Sequence, residues 1–222
     1  MGNVWLTSDL HLEHRLVARH RREAYIVDGF NDLSDDDVTR WHDALLAAIW
    51  DSTVKPGDVV WVLGDISAGG STAQKNALEW MKARPGLKHL IAGNHDGCHP
   101  MHRDSHKWQR PYLEAFESVQ MAAKRRVSLP TGHMNVMLSH FPYQGDRGPD
   151  RHREWRLRET PGVPVVHGHT HSTERVSRSS NLWVGAEQQH ALQVHVGFDA
   201  WDGLVHWDEV CRIVQTLGAG HD

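Results

Sequence analysis

Five times in this chain a short apolar run stops at side chains able to ligate a metal ion. "VWL" at 4–6 leads to Asp9 and His11, "VVWVL" at 59–63 to Asp65, and "HLIA" at 89–92 to Asn94, His95 and Asp96. "VMLS" at 136–139 leads to His140, and "VPVV" at 163–166 to His167 and His169. The runs are bounded by Gly, Pro, Asp or Asn, as buried strands are. In open α/β sheets ligands bind at the carboxyl ends of the strands. A fold that gathers these five ends at one edge is the strongest constraint the sequence imposes.

Between the runs lie helical patterns. Ser34 caps a helix whose first turn carries Asp35, Asp36 and Asp37, three carboxylates facing the positive end of the helix dipole. Val38, Trp41, Leu45, Ala48 and Ile49 then keep to one face. A second helix is expected from Thr72 to Arg84, stopped by Pro85-Gly86, a third over "PYLEAFESV" at 111–119, and a last over "DEVCRIVQTL" at 208–217. A further apolar run, "LQVHV", lies at 192–196. Strands alternating with helices give an α/β class, and 222 residues without an internal repeat fit one domain over 1–222. The segment Tyr143–Pro164 reads as a loop carrying Arg147, Arg151, Arg153, Arg156 and Arg158. Solvated surface charge is its first reading, and a lid near the site its second.

Charge narrows the partners. Lys plus Arg total 24 against 28 Asp plus Glu, so no polybasic nucleic-acid surface is indicated and no stable nucleic-acid partner is expected. Cys98 and Cys211 are too few for a disulfide framework and suit a reducing cytoplasm, and no run approaches membrane-spanning length. A cytoplasmic location is the expectation, and a homo-oligomer is compatible with it. The 19 histidines are the compositional feature that matters, because imidazole is the commonest transition-metal ligand.

Any one histidine alone reads as a core residue hydrogen-bonded locally. Five donor-bearing strand ends together do not. Asp9, His11, Asp65, Asn94, His140, His167 and His169 are seven candidate donors, and one bridging carboxylate would give each of two ions four protein ligands. Mixed imidazole and carboxylate donors favour Mn, Fe or Zn over Ca. Two divalent ions about 3.5–4 Å apart are the recurring arrangement for in-line displacement at phosphorus, where they acidify a bridging water and clamp phosphoryl oxygens.

In these motifs the sequence resembles the calcineurin-like metallophosphoesterases. Their order D-x-H, G-D, G-N-H-[DE], H and G-H-x-H is matched by Asp9-Leu10-His11, Gly64-Asp65, Gly93-Asn94-His95-Asp96, His140, and His167 and His169 flanking Gly168. The resemblance implies a four-layered α/β/β/α sandwich with two mixed sheets. It implies that Asp9, His11 and His169 hold one ion, that Asn94, His140 and His167 hold the other, and that Asp65 bridges them. It makes His95 the non-ligand histidine that contacts phosphate and protonates the leaving oxygen, with Asn94 also near substrate, and leaves Asp96 to fix the turn. Two divalent cofactor ions are implied, Mn ahead of Fe, Zn, Ni, Co or Mg.

Departures from subgroup patterns narrow the substrate. Asp65 is followed by Ile66-Ser67-Ala68-Gly69, without the Asp and Arg that phosphoprotein phosphatases of this superfamily carry there. Nucleases of the superfamily append a DNA-capping domain, for which there is no room. What remains is a small phosphodiesterase, favoured for cyclic nucleotides with 2',3'-cyclic species slightly ahead, or a phosphomonoesterase or other phosphatase. A protein-interaction scaffold of the same fold stands further off, since a scaffold needs no His95.

Overall fold

A computed structural model describes residues 2–24, 33–130, 132–146, 148–180, 182–185 and 187–218. In chain order the elements are β1 (Val4–Thr7), α1 (Arg15–Ala24), α2 (Asp35–Thr53), β2 (Val59–Val62), α3 (Ser71–Ala83), β3 (Leu87–Ile91), α4 (Ser105–Leu113), β4 (Ser118–Gln120), β5 (Ala122–Leu129) and β6 (Gly132–Ser139). They continue with β7 (Val165–His167), β8 (Val176–Arg178), β9 (Leu182–Val184), β10 (Glu187–Gln189), β11 (Leu192–His195), α5 (Phe198–Trp201), β12 (Val205–His206) and α6 (Trp207–Leu217). A short 3-10 turn, Arg153–Trp155, interrupts the arginine-bearing loop.

Two five-stranded sheets carry the fold. The first runs β12-β1-β2-β3-β4 and the second β5-β6-β7-β11-β8. Each is mixed: β1, β2, β3 and β4 are parallel with β12 antiparallel, while β6, β7 and β11 are parallel with β5 and β8 antiparallel. Parallel central strands have to be buried on both faces, and their sequences agree: Val60, Val62 and Leu90 face one core, Leu6, Leu63 and Ile91 the other.

The first core lies under α2 and α3, where Leu46, Trp50, Leu78 and Met81 cover the outer face of the first sheet. The second lies between the sheets, where Leu6, Leu63 and Ile91 meet Val136, Leu138, Val166 and Val194. α6 adds Val210, Ile213 and Val214 to this core. It reaches both edges of the second sheet: Gln215 donates to Ser128 O at 2.8 Å and Arg178 to Leu217 O at 2.7 Å. Tyr143 and Leu157, from the arginine-bearing loop, pack on Val165. This mixed α/β arrangement with two mixed sheets is the metallophosphoesterase fold expected from the motifs. Its consequence is that the carboxyl ends of β1, β2, β3, β6 and β7 converge on one rim.

α2 starts where Ser34 predicts, its side chain accepting from Asp37 N. The expected helix over 111–119 is displaced: α4 ends at Leu113 and 118–120 is strand β4. Pro111 sits in the last turn of α4, where it closes a helix instead of opening one.

Candidate metal centre

The donor-bearing turns after β1, β2 and β7 leave their strands through left-handed backbone. Asp9 (φ 57°), His11 (φ 49°), Asp65 (φ 56°), His169 (φ 68°) and His171 (φ 48°) all adopt it. For residues with a Cβ this conformation costs of order 1–3 kcal/mol and persists only where surrounding contacts enforce it. Those contacts are present. Asp9 N donates to Gly64 O and His11 N to Asp65 O, each at 3.0 Å. His169 N donates to both oxygens of the Asp9 carboxylate, at 3.1 and 2.9 Å. At Gly168 a Cβ would stand 1.8 Å from Ser8 Oγ and 2.4 Å from Asp9 Oδ2, so only glycine lets the first and last ligand turns meet.

Among the described residues, ligand atoms of Asp9, His11 and His171 lie within 4.8 Å of one another, and so do those of Asp9, Asp65 and His140. In the first group His11 Nε2 and His171 Nε2 are 3.0 Å apart, and each is 3.9 Å from Asp9 Oδ1. The two groups share Asp9, and Asp65 Oδ2 lies between their histidines, 3.7 Å from His11 Nε2 and 3.5 Å from His140 Nε2. His140 Nδ1 donates to Leu63 O at 2.7 Å, which turns Nε2 toward Asn94 Oδ1 at 3.1 Å. The His169 ring stands beside that of His140, centroids 5.2 Å apart.

The electrostatics suit a bound cation. Burial works against a charged His140, and Asp65 beside it more than offsets this, raising its pKa to about 9. Asp65 itself is held well below the usual carboxylate range: burial opposes ionisation, but His140 and His11 outweigh it. Burial pushes His11 down to about 3 and His169 to about 4, so both rings stay neutral with a lone pair to offer. His11 Nδ1 is buried and has no hydrogen-bond partner among the described residues. Neutral imidazoles, ionised carboxylates and an amide oxygen facing one small volume are a donor set that fits divalent transition ions.

Asp96 braces the frame. Its buried carboxylate accepts from Asp65 N (2.9 Å), Ile66 N (3.2 Å) and Gly93 N (2.8 Å), tying the second and third ligand turns together. Burial and the nearby Asp65 push its pKa up to about 6. His95 stands over the cluster, half-buried, its ring edge-to-face with His11 at 5.2 Å and its N–H donating to Asp65 Oδ1 at 2.7 Å. Gly69 makes room for it: a Cβ there would sit 3.1 Å from His95 Nδ1.

The geometry groups His171 with Asp9 and His11, where the sequence placed His169. It stands His169 beside His140, where the sequence placed His167. His167 is still in strand β7, paired in register with His195 of β11. The pleat turns its ring toward His195, centroids 5.4 Å apart, into a cavity of about 230 Å³ that also includes Thr170 and Ser172. "HGHTH" contains two overlapping i, i+2 pairs, and the strand runs one residue further than "VPVV" suggested.

The arginine-bearing loop brings an acid to the rim. Asp146, fully buried, accepts from Arg151 Nη2 (3.1 Å) and Arg156 Nη2 (3.4 Å), and its Oδ2 lies 3.1 Å from His169 Nε2. Arg156 also donates to Pro142 O and Gly145 O, each at 3.2 Å, so it builds the loop. Arg147 lies outside the described residues. Asp146 and His171 were both missed in the sequence. For His171 the signal was present in "HTH"; for Asp146 there was none.

A dinuclear donor set at the rim of two mixed sheets defines a class, the metal-dependent phosphoester hydrolases. Residues 2–201 match the family model for calcineurin-like phosphoesterase, and the chain belongs to that family. It is 47% identical over 221 residues to the Gene 66 protein of Mycobacterium phage L5, covering 98% of this chain and 96% of that protein. It is 46% identical over 222 residues to the Gene 66 protein of Mycobacterium phage D29, covering 99% and 100%. Among solved structures it resembles the protein of unknown function AQ665 from Aquifex aeolicus, with a TM-score of 0.57 at 17% identity over 96% of this chain and 100% of that one. That likeness concerns the fold. Family membership brings a dinuclear divalent centre and a phosphoester substrate, and among the described residues no helix is long and apolar enough to cross a membrane.

Proposed function

We propose that the chain hydrolyses phosphodiesters, cyclic nucleotides first and 2',3'-cyclic species ahead of others, at two divalent ions for which Mn is the favoured metal. Asp9, His11 and His171 hold one ion, Asn94, His140 and His169 the other, and Asp65 lies between them. The observation that carries this reading is the pair of donor groups that share Asp9 and flank Asp65, with His11 and His140 nitrogens 3.7 and 3.5 Å from one Asp65 oxygen. When bound, two such ions lower the pKa of a water and draw charge from the phosphoryl oxygens.

The chain's own residues do the rest. Asp65 and Asp9 are kept ionised, and so able to hold cations, by the imidazoles around them. Asp96 and the left-handed turns fix the donors before substrate arrives, so little reorganisation is needed. His95 is not a ligand in this assignment. It faces the solvent side of the cluster, where it can contact a phosphoryl oxygen and deliver a proton to the leaving alkoxide. Arg151, largely exposed, and Arg156, turned inward, are already paired with Asp146 and do not offer a dedicated monoester clamp, which supports a diester over a monoester.

A panel of bis-p-nitrophenyl phosphate, p-nitrophenyl phosphate, and 2',3'- and 3',5'-cyclic nucleotides, each with Mn, Zn, Ni, Co and Mg, tests the reading. The expected result is hydrolysis of 2',3'-cyclic nucleotide and bis-p-nitrophenyl phosphate with Mn, ahead of the monoester. Monoester turnover exceeding both would reassign the enzyme as a phosphomonoesterase. Metal uptake without turnover of any ester would favour the scaffold reading.

A further inference from the structure

Asp199 opens α5, and its two oxygens join residues from opposite ends of the chain. Oδ2 lies 2.9 Å from His171 Nδ1. Oδ1 and Oδ2 accept from Arg21 Nε (3.0 Å) and Nη2 (2.9 Å), a bidentate fork. The Arg21 side chain, from α1, is 3% exposed. Its Nη2 also donates to Asp9 O at 2.6 Å, and its Nη1 to Leu10 O at 3.1 Å. Nη1 further meets His42 Nε2 at 3.0 Å. A guanidinium has five N–H donors and no acceptor. Here all five are used.

The protons along this chain follow from that inventory. Arg21 only donates, so His42 accepts at Nε2 and carries its proton on Nδ1, which lies 2.9 Å from Asp43 Oδ1. Asp43 Oδ2 accepts from Glu13 N at 3.1 Å. On the other side, Asp199 accepts from His171 Nδ1–H, which leaves His171 Nε2 as a bare lone pair aimed at His11 and Asp9. One buried network thereby sets the tautomer of His171 and pins the carbonyls on either side of the Asp9–Leu10 peptide.

We propose that Asp199 and Arg21 are positioning residues of the metal centre. They preorganise Asp9, His11 and His171 as a cation site, and none of their hydrogen bonds reaches Asn94, His140 or His169. The inference rests on the reading that those three residues ligate an ion. A ligating histidine commonly donates its second ring N–H to a carboxylate, and removing such a partner typically costs about 10–100-fold in metal affinity. Lysine cannot replace Arg21, because a point charge has no fork for Asp199 and too few donors for both carbonyls.

The test is Mn titration of the metal-stripped full chain by calorimetry, with ion stoichiometry, circular dichroism and melting temperature, on wild type, Asp199→Asn, Arg21→Lys and Arg21→Met. Expected is a weakening of one of two sites by about 10–100-fold in each variant, with the other site unchanged and turnover recovered at saturating Mn. Combining Asp199→Asn with Arg21→Met should weaken the site by less than the product of the two single effects, since both act through one network. Asp199→Asn is isosteric, so it carries the test alone if an Arg21 variant fails to fold. Equal weakening of both sites in step with the melting temperature, or no weakening of either, overturns the proposal and leaves the metal reading standing. A wild-type chain that takes up no ion overturns both.

Discussion

Two acceptors face one another where His140 Nε2 meets Asn94 Oδ1, because the Nδ1 proton is already committed to Leu63 O. A proton or a cation has to sit between them. Without metal it is the proton, and against burial the Asp65 carboxylate beside the ring raises the His140 pKa to about 9 against an ordinary 6.5. A folded-state pKa raised in this way contributes stability that is full below about pH 6.5 and is lost as pH rises through about 9. Urea denaturation of metal-free protein should therefore show falling stability over that window. Saturating Mn should flatten the fall, because the ion takes the proton's place and metal uptake releases it. An identical pH slope with and without Mn would contradict this. The same scale separates the histidines of "HGHTH". His171→Ala and His169→Ala are each expected to weaken one ion, Asp65→Ala to lose both, and His167→Ala to keep two ions bound by metal analysis. His95→Ala should also keep both ions, and lose more on a cyclic nucleotide than on bis-p-nitrophenyl phosphate. General acid catalysis contributes about 10²–10⁴-fold, and p-nitrophenolate needs it least. Equal losses on the two substrates would make His95 a phosphate-binding group instead. Most of this cluster was legible, since Asp9, His11, Asp65, Asn94 and His140 follow strand-length runs at fixed short offsets. His171 was passed over although "HTH" offered a second i, i+2 pair, because nothing local tells where β7 stops. Asp199, Arg21 and Asp146 were not legible, as partners distant in the chain leave no mark on local spacing.

Among the elements, those with strong local punctuation were the ones read correctly. α2 has its Ser34 cap and acidic first turn and starts where they place it, and α3 has its Pro85-Gly86 stop and runs within one residue of its expected bounds, Thr72 to Arg84. α1 gave no such signal: its first turn holds no acidic residue, and its sequence is mostly charged. It is held by Arg21, a long-range contact. β5 is likewise half-exposed and polar, and exists because β6 pairs with it along its whole length. The loop after β6 illustrates how charge composition misleads. Five arginines suggested either solvated charge or an approach to substrate, whereas Arg156 is turned inward to neutralise buried Asp146 and to satisfy two carbonyls. Arg156→Ala would take the donor from the Pro142 and Gly145 carbonyls and one guanidinium from Asp146, which keeps Arg151, at an expected cost of about 1–3 kcal/mol in urea denaturation. Arg153→Ala, at an exposed position of the same loop, should stay within about 0.5 kcal/mol. Equal effects would show that Arg156 does not hold the loop together.

Over the whole molecule, two sheets pack face to face so that one rim collects ligand turns from residues 9 to 171, and no shorter stretch could assemble them. The pairing that matters most is between chain ends: Gly168 closes on Ser8 and Asp9, and His171 on His11. Such contacts are why the fold class could be read from strand-and-donor alternation while the layer arrangement came from the family resemblance. The central claim is that this rim is a dinuclear phosphodiesterase centre. It is tested most directly by measuring bound metal and bis-p-nitrophenyl phosphate hydrolysis together, on the same preparation, after chelation and during stepwise return of Mn. The expected result is no turnover in the stripped protein, and activity that rises with Mn and reaches its plateau at two ions per chain. Turnover that survives chelation, or a plateau at a single ion, would contradict it.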